Sequence, residues 1–129
     1  MASILEVDTI TGVTTAGSIA ITGEGNSTTT NLQQGLAKAW CRTDQTATAL
    51  DSHNISSGTD NGTGDYTFSF ANSMDNLNYT GVCSSKSNDN RVLCYSTIAT
   101  GSIALDLFDA DAGTRVDGGG GMGVLGDLA

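Results

Sequence analysis

The sequence has few of the long, charged side chains that usually cover exposed helices, because Glu and Lys occur only twice each in 129 residues. Thr, Ser and Asn are abundant instead, with 18, 13 and 9 copies, and there are 17 glycines. β-Branched and turn-forming residues favour strands and loops over helices. We therefore predict a chain built mostly of β-strands.

Aromatic residues are also scarce, at 5% of the chain. The length leaves room for one globular domain and a short arm or tail, which excludes large multidomain enzymes. A domain of this size buries only about two thirds of the surface of its unfolded chain. Because few large side chains are available for a core, we expect a solitary monomer to be marginally stable.

Positive charge is the third shortage, since five Lys and Arg residues against 14 Asp and Glu residues give a net charge of −9. Binding to a phosphate backbone requires clustered cations, and these five are scattered along the sequence. Nucleic acids and anionic membranes are therefore not expected as partners. A transmembrane helix is not expected either, because the sequence has no apolar run of about eighteen residues.

Residues that commonly carry catalysis or hold metals are few. The chain has one histidine, His53, and its neighbours Asp51 and Ser52 do not imply a catalytic triad, because adjacent residues of a strand point to opposite faces. No Cys-x-x-Cys pair is present, so a zinc site is not expected. A glycosidase would need two carboxylates held about 5 to 9 Å apart, and nothing in the sequence fixes such a pair. We predict a protein without catalytic activity and without a cofactor.

The first segment, residues 1–34, contains no aromatic residue. Its pattern predicts one strand at Ile4–Ile10 and a second at Gly17–Thr22, followed by a polar loop. Two short strands cannot hold a core alone, so this N-terminal β arm must pack on its own domain or on another chain. The residues predicted to anchor the arm and to hold copies together are Ile4, Leu5, Val7, Ile10, Ile19 and Ile21.

The second segment, residues 35–112, carries all the aromatic residues and is predicted to contain the core. Alternation of apolar and polar residues predicts strands at Leu36–Arg42, Asp65–Ala71, Tyr79–Cys83, Arg91–Thr97 and Ser102–Phe108. A short helical turn through residues 32–34 is also compatible with the pattern. Five to seven short strands in all predict an all-β fold, a small antiparallel β-sandwich or barrel-like domain.

The polar stretch between Cys83 and Arg91 is suited to a hairpin loop, which would bring Cys83 and Cys94 face to face. The chain has three cysteines and begins without the charged and apolar regions of a signal peptide. Burial of the cysteines as small hydrophobic residues is therefore favoured over a disulfide.

The third segment, residues 113–129, has glycine at five of the six positions from Gly118 to Gly123. Such a run has too much backbone freedom to become ordered by itself. The composition favours a disordered Gly-rich tail over the alternative of a peptide that docks on a neighbouring chain.

Acidic residues gather at two places. Asp60 and Asp65 flank two glycines and form a weak candidate for calcium, but a turn is favoured because Asn-Gly is a strong turn signal and the complete calcium loop is absent. Asp106, Asp109 and Asp111 are predicted to lie at a solvated strand end. Contact with an external ligand is expected at the polar loops Thr43–Leu50 and Ser84–Asn90.

Several stretches of the chain together resemble a known group of proteins. These stretches are Ile4–Ile10, Gly17–Gly25, Thr30–Trp40, Asn54–Ser57 and Thr59–Met74. Over residues 1–80 they resemble fibre-like virion proteins of marine tailed bacteriophages, notably cyanophages. The resemblance implies a β-rich structural protein, commonly trimeric, in which an N-terminal strand segment anchors a compact domain to the particle.

The function implied by the resemblance is that of a non-enzymatic, short homotrimeric tail fibre or knob, located in the virion after assembly in the host cytoplasm. The implied partners are sister copies, other virion proteins of the tail or capsid, and a host surface receptor. This chain is one short domain with a Gly-rich end, so a capsid decoration protein or head fibre that stabilises the capsid is the alternative. A fibre enzyme that acts on polysaccharide is a distant alternative.

Overall fold

The computed structural model describes residues 4–12, 19–22, 29–86 and 90–126. In these ranges it contains one helix of four residues, α1 (Leu32–Gly35), and eleven strands. The strands are β1 (Ala20–Thr22), β2 (Thr29–Asn31), β3 (Ala39–Thr43), β4 (Ala49–His53), β5 (Ile55–Gly62), β6 (Asp65–Phe70), β7 (Tyr79–Ser85), β8 (Arg91–Ala99), β9 (Ser102–Asp109), β10 (Thr114–Arg115) and β11 (Gly120–Gly126).

Nine of these strands form two antiparallel sheets. The four-stranded sheet has the order β4-β3-β11-β7. In the five-stranded sheet, β5 pairs with β6 and β6 with β9, while β8 and β10 also pair with β9. The strands β1 and β2 pair only with each other in the described ranges. The two larger sheets pack against each other, so the predicted sandwich-like all-β fold is confirmed.

The core lies between the two sheets and is built by alternation along the strands. In β6 the side chains of Tyr66, Phe68 and Phe70 are buried, and the residues between them are only partly covered. This is the pattern that the sequence predicted. The opposite sheet contributes the aromatic Tyr79 and smaller or flexible groups, among them Ala39, Cys41, Met122 and Val124. Most of the large buried side chains thus come from the five-stranded sheet.

Two buried tyrosines join the sheets through their hydroxyl groups. The Tyr79 hydroxyl donates to Ala99 O at 2.8 Å and also lies 3.0 Å from Ser102 O. The Tyr66 hydroxyl accepts a hydrogen bond from Gly118 N at 3.1 Å. Burial raises the pKa of both phenols, so they stay protonated and keep these contacts at neutral pH.

The prediction of a disordered tail over residues 113–129 is wrong for Gly120–Gly126. This stretch is β11, which lies between β3 and β7 and pairs with both. Met122 and Val124 point into the core, while Gly121 and Gly123 point outward. Glycine lacks the side chain that would order an isolated strand, but two flanking strands supply the hydrogen bonds that fix it. Residues 127–129 lie outside the described residues.

The predicted hairpin between Tyr79–Cys83 and Arg91–Thr97 is also wrong. The two strands exist, but β7 pairs with β11 in one sheet and β8 pairs with β9 in the other. The chain crosses between the sheets here, and Ser85 Oγ donates to Arg91 O at 2.8 Å next to the crossing. Alternation within each strand could not reveal the strand's partner.

The N-terminal arm differs from its prediction as well. No strand or helix forms over residues 4–12, because no other described strand lies alongside to take their backbone hydrogen bonds. The second predicted strand is present as β1, and residues 17 and 18 of that prediction lie outside the described residues. The helical turn considered for residues 32–34 is confirmed as α1.

Alanine substitution at two glycines of β11, Gly120 and Gly123, tests the position of this strand. A Cβ atom at Gly120 would lie 2.6 Å from Ser84 O and 2.6 Å from Leu93 Cδ2, so we expect Gly120→Ala to destabilise the fold by about 1–3 kcal/mol. A Cβ atom at Gly123 would meet nothing within 4 Å, so Gly123→Ala should change stability by less than about 1 kcal/mol. Urea unfolding measures both. Equal stabilities of the two variants would contradict a central β11.

Candidate functional site

The predicted anchoring residues of the arm are exposed to solvent. Ile4, Leu5, Val7 and Ile10 retain 82%, 81%, 53% and 57% of their accessible surface. We call residues 4–12 the arm from here on. Four large apolar side chains within seven residues, with this exposure, form an apolar segment that the described body does not cover.

The other two anchoring residues, Ile19 and Ile21, lie at β1. Ile21 is exposed, Ile19 is half-buried, and Ile19 O accepts a hydrogen bond from Leu32 N at 2.8 Å. This contact holds the first turn of α1 close to β1. The described residues therefore place Ile19 and Ile21 in a small paired-strand unit, while Ile4, Leu5, Val7 and Ile10 remain uncovered.

The outward side of the four-stranded sheet carries a second exposed apolar surface. Trp40, Gly123 and Val82 are in register across β3, β11 and β7, and Leu125 follows on the same side of β11. Because Gly123 has no side chain, the space between Trp40 and Val82 is open. We call this surface, formed by Trp40, Gly121, Gly123, Val82 and Leu125, the outer face.

A cationic cleft adjoins the outer face. It has a volume of about 370 Å³ and is lined by Arg42, Ser84, Ser85, Lys86, Gly120 and Gly121. Arg42 is in register with Gly121, and Gly121 with Ser84, so the cleft lies one row along from Trp40. Lys86 is placed at the end of β7 by the hydrogen bond from its backbone N to Gly119 O at 2.9 Å.

A neighbouring cleft joins the two polar loops that the sequence suggested for ligand contact. Its volume is about 360 Å³, and its lining includes Asp44 and Leu50 of the first loop and Lys86 of the second. The Asp44 carboxylate accepts hydrogen bonds from the backbone N–H groups of Thr46 and Thr48, which hold its pKa below the usual value. These bonds close the first loop into a defined turn. Residues 87–89 of the second loop lie outside the described residues.

Arg42 and Lys86 differ from the other cations of the chain. Arg115 bridges Asp65 at 2.9 Å and Asp106 at 2.8 Å. Arg91 donates to Asp117 O at 2.8 Å, and Lys38 is buried. Within the described residues, the side chains of Arg42 and Lys86 form no ion pair and no hydrogen bond. Both cations line one cleft, with Asp51 in register with Arg42 on β4 and Asp44 beside Lys86 in the neighbouring cleft.

The weak calcium candidates Asp60 and Asp65 lie at the two ends of the β5–β6 hairpin turn. Asp60 Oδ1 accepts a hydrogen bond from Gly62 N at 3.0 Å, and Asp65 pairs with Arg115. Both carboxylates are thus engaged in contacts that stabilise the turn. No cluster of three or more metal-ligating side chains occurs in the ranges that the structure describes.

The second acidic group is only partly a solvated strand end. Asp109 Oδ1 accepts hydrogen bonds from Ala112 N and Asp111 N, which lower the pKa of Asp109. Asp106, however, is buried and holds Arg115, so its prediction as solvated is wrong. The hydrogen bond to Asp106 is the main reason that the pKa of Arg115 is raised. The contacts of Arg115 with Asp65 and Asp106 link β10 to β6 and β9 within the five-stranded sheet.

His53 lies exposed at the end of β4, in register with Trp40. Asp51 Oδ1 accepts a hydrogen bond from Ser52 N at 2.9 Å. In the described part of the chain, neither Asp51 nor Ser52 contacts the His53 side chain through a hydrogen bond. The arrangement therefore provides no oriented nucleophile and base.

The three cysteines are free thiols in different surroundings. Cys41 is part of the core, and burial raises its pKa. Burial and the nearby Cys94 raise the pKa of Cys83 to about 11, which keeps this thiol protonated at neutral pH. Burial as a small hydrophobic residue is confirmed for Cys41, while Cys94 is exposed.

The sequence reasoning did not identify the outer face or the cationic cleft. Alternation of Trp40 and Arg42 with the buried Ala39 and Cys41 was visible in the sequence, but its outward side could not be assigned before the partners of β3 were known. Both surfaces depend on β11, whose glycines were predicted to be disordered. In comparisons with known proteins, no family model, no curated protein and no solved structure matches this chain. None of the helical structure in the described ranges is long and apolar enough to cross a membrane.

Proposed function

We propose that this chain is a non-enzymatic structural protein of a bacteriophage particle, a short homotrimeric tail fibre or knob that assembles through its N-terminal arm. The observation that carries the proposal is the exposure of Ile4, Leu5, Val7 and Ile10 beside a folded sandwich. An exposed apolar segment of this kind marks a site of association.

The energetics of the arm explain why its ordering requires a folded partner surface. Burial of one Leu, Ile or Val side chain contributes about 1.5–3 kcal/mol. Ordering the backbone costs about 1–2 kcal/mol per residue, so the arm gains little by ordering alone. A surface that is already folded adds apolar burial without adding its own ordering cost. The arm therefore becomes ordered when another chain or another part of the particle covers it.

The phage assignment is supported by the resemblance of residues 1–80 to fibre-like virion proteins of marine tailed bacteriophages. In those proteins an N-terminal strand segment anchors a displayed domain, and the exposed arm of this chain occupies the corresponding end of the sequence. Its partners are sister copies, other virion proteins and, for a fibre, a host surface receptor. The net charge of −9 and the many hydroxyl and amide side chains suit a displayed surface that must stay in solution.

The absence of a catalytic arrangement around His53 in the described residues supports a structural role over an enzymatic one. The carboxylates Asp65 and Asp106 are engaged by Arg115. The carboxylates of Asp44 and Asp109 are engaged by backbone N–H groups of their own turns. A pair of free carboxylates across a cleft, as a polysaccharide-cleaving fibre would need, is not found among these four.

Serine substitution of Ile4, Leu5, Val7 and Ile10 together tests the role of the arm. We expect the unmodified chain to form a trimer at about 10 µM and the fourfold variant to be monomeric, because association depends on burial of these side chains. Analytical ultracentrifugation gives the mass. The matched control is Leu77→Ser with Val92→Ser, which removes exposed apolar groups from the body and should leave the trimer intact. An unmodified chain that is monomeric at this concentration would refute the proposal.

Capsid decoration is the second candidate, and one observation favours it. The described residues contain one sandwich and no repeated shaft of the kind that extends a fibre. Electron microscopy of particles labelled through an antibody to this chain separates the two locations. A fibre or knob predicts a few copies at the tail, whereas decoration predicts many copies over the capsomers and loss of heat resistance when the gene is removed. Particles without label would contradict both.

A further inference from the structure

We infer that the outer face and its cationic cleft form the docking site for the arm of a second copy of this chain. The inference rests on the proposed function and adds the location and the chemistry of the contact. The proposed contact joins two surfaces that the fold leaves uncovered. The arm is apolar and acidic, and the outer face with its cationic cleft is apolar and basic.

The apolar parts of the two surfaces match. The arm presents four large aliphatic side chains, of which Ile4 and Ile10 share one side of an extended chain and Leu5 and Val7 the other. The outer face presents Trp40, Val82 and Leu125, which remain 38%, 58% and 38% exposed. The outward side of the five-stranded sheet differs along its centre, where β6 and β9 present hydroxyl and small groups such as Thr67, Ser69 and Ala104. Val92 and Phe108, in register on β8 and β9, make one end of that side apolar, whereas the outer face has glycine at its centre between Trp40 and Val82.

The charges of the arm and of the cationic cleft favour the same contact. The arm carries Glu6 and Asp8 between its apolar residues, and the chain as a whole has a net charge of −9, so an acidic arm is repelled by most of a second copy. The side chains of Arg42 and Lys86 form no ion pair and no hydrogen bond within the described residues, and both line the cationic cleft. The arm therefore meets opposite charge where the outer face ends.

The spacing of the arm residues fits one flat contact. In an extended chain, Ile4, Glu6, Asp8 and Ile10 share one side, and they span about 20 Å at roughly 3.3 Å per residue. The four-stranded sheet is about 15 Å across at roughly 4.8 Å per strand. An arm laid across the sheet along the row of Arg42, Gly121 and Ser84 places its two acids over the cationic cleft and one isoleucine at each end. The glycine row at Gly121 and Gly123 lets its backbone approach closely.

A charge exchange between two variants tests docking between copies. Arg42→Glu with Lys86→Glu and, separately, Glu6→Lys with Asp8→Lys should each weaken association about tenfold, because each makes the arm and the cleft alike in sign. An equimolar mixture of the two variants should associate again, because each arm then meets a cleft of opposite charge on the other chain. The second variant lowers the net negative charge, so its loss of association would not reflect general repulsion.

Trp40 is the single tryptophan of the chain and reports on the outer face directly. Docking of an arm should shift its fluorescence emission to shorter wavelength as protein concentration rises, and the mixture of variants should recover this shift. Ser57→Asp with Thr59→Asp is the control, because it adds negative charge to exposed positions of β5 in the other sheet and should leave association unchanged. Circular dichroism checks the fold of each variant.

The possible results separate this inference from the proposed function. A chain that associates through its arm but is unaffected by either charge reversal would overturn the inference and leave the proposed function intact. A blue shift that does not depend on concentration would mean that the arm docks on its own chain, which also overturns it. A monomeric unmodified chain would overturn both.

Discussion

Burial of a small number of large side chains between two sheets is the interaction on which the rest of the structure depends. Tyr66, Phe68, Ile103, Leu105 and Leu107 all come from β6 and β9 of the five-stranded sheet and are fully buried. The opposite sheet contributes Tyr79 of β7, Met122 and Val124 of β11, and the small residues Ala39 and Cys41 of β3. Because one sheet supplies most of the large buried side chains, a chain with 5% aromatic residues can enclose a core.

The positions of the core residues also determine which apolar side chains remain exposed. Trp40, Val82 and Leu125 alternate with the inward-facing residues of their strands and stay on the outward side, and the apolar side chains of the arm are also exposed. Gly123, in register with Trp40 and Val82, leaves the space between them open. The chain is thus a folded body with uncovered apolar surfaces, which is the condition expected of a subunit that is completed by its neighbours.

Prediction from the sequence succeeded for strands that the alternation of their own apolar and polar residues identifies. The alternation in Asp65–Ala71 and in Ser102–Phe108 identified both central strands, β6 and β9, and their buried sides, and with them the fold class. It failed where a strand takes its order from its partners. Gly120–Gly126 has the composition of a disordered tail, and its order comes from pairing with β3 and β7. The hairpin predicted at Cys83 and Cys94 failed for the same reason, because β7 and β8 pair with β11 and β9 in different sheets and neither strand's own pattern shows this.

The account reduces to the claim that neighbouring copies complete this chain by covering its exposed apolar surfaces. Partner binding to the folded state raises the unfolding temperature with protein concentration, whereas a self-sufficient monomer has a constant midpoint. The most direct measurement is the thermal unfolding midpoint from about 1 to about 100 µM. The account predicts a midpoint that rises steadily over this range. A midpoint independent of concentration, in a chain that stays monomeric throughout, would contradict it.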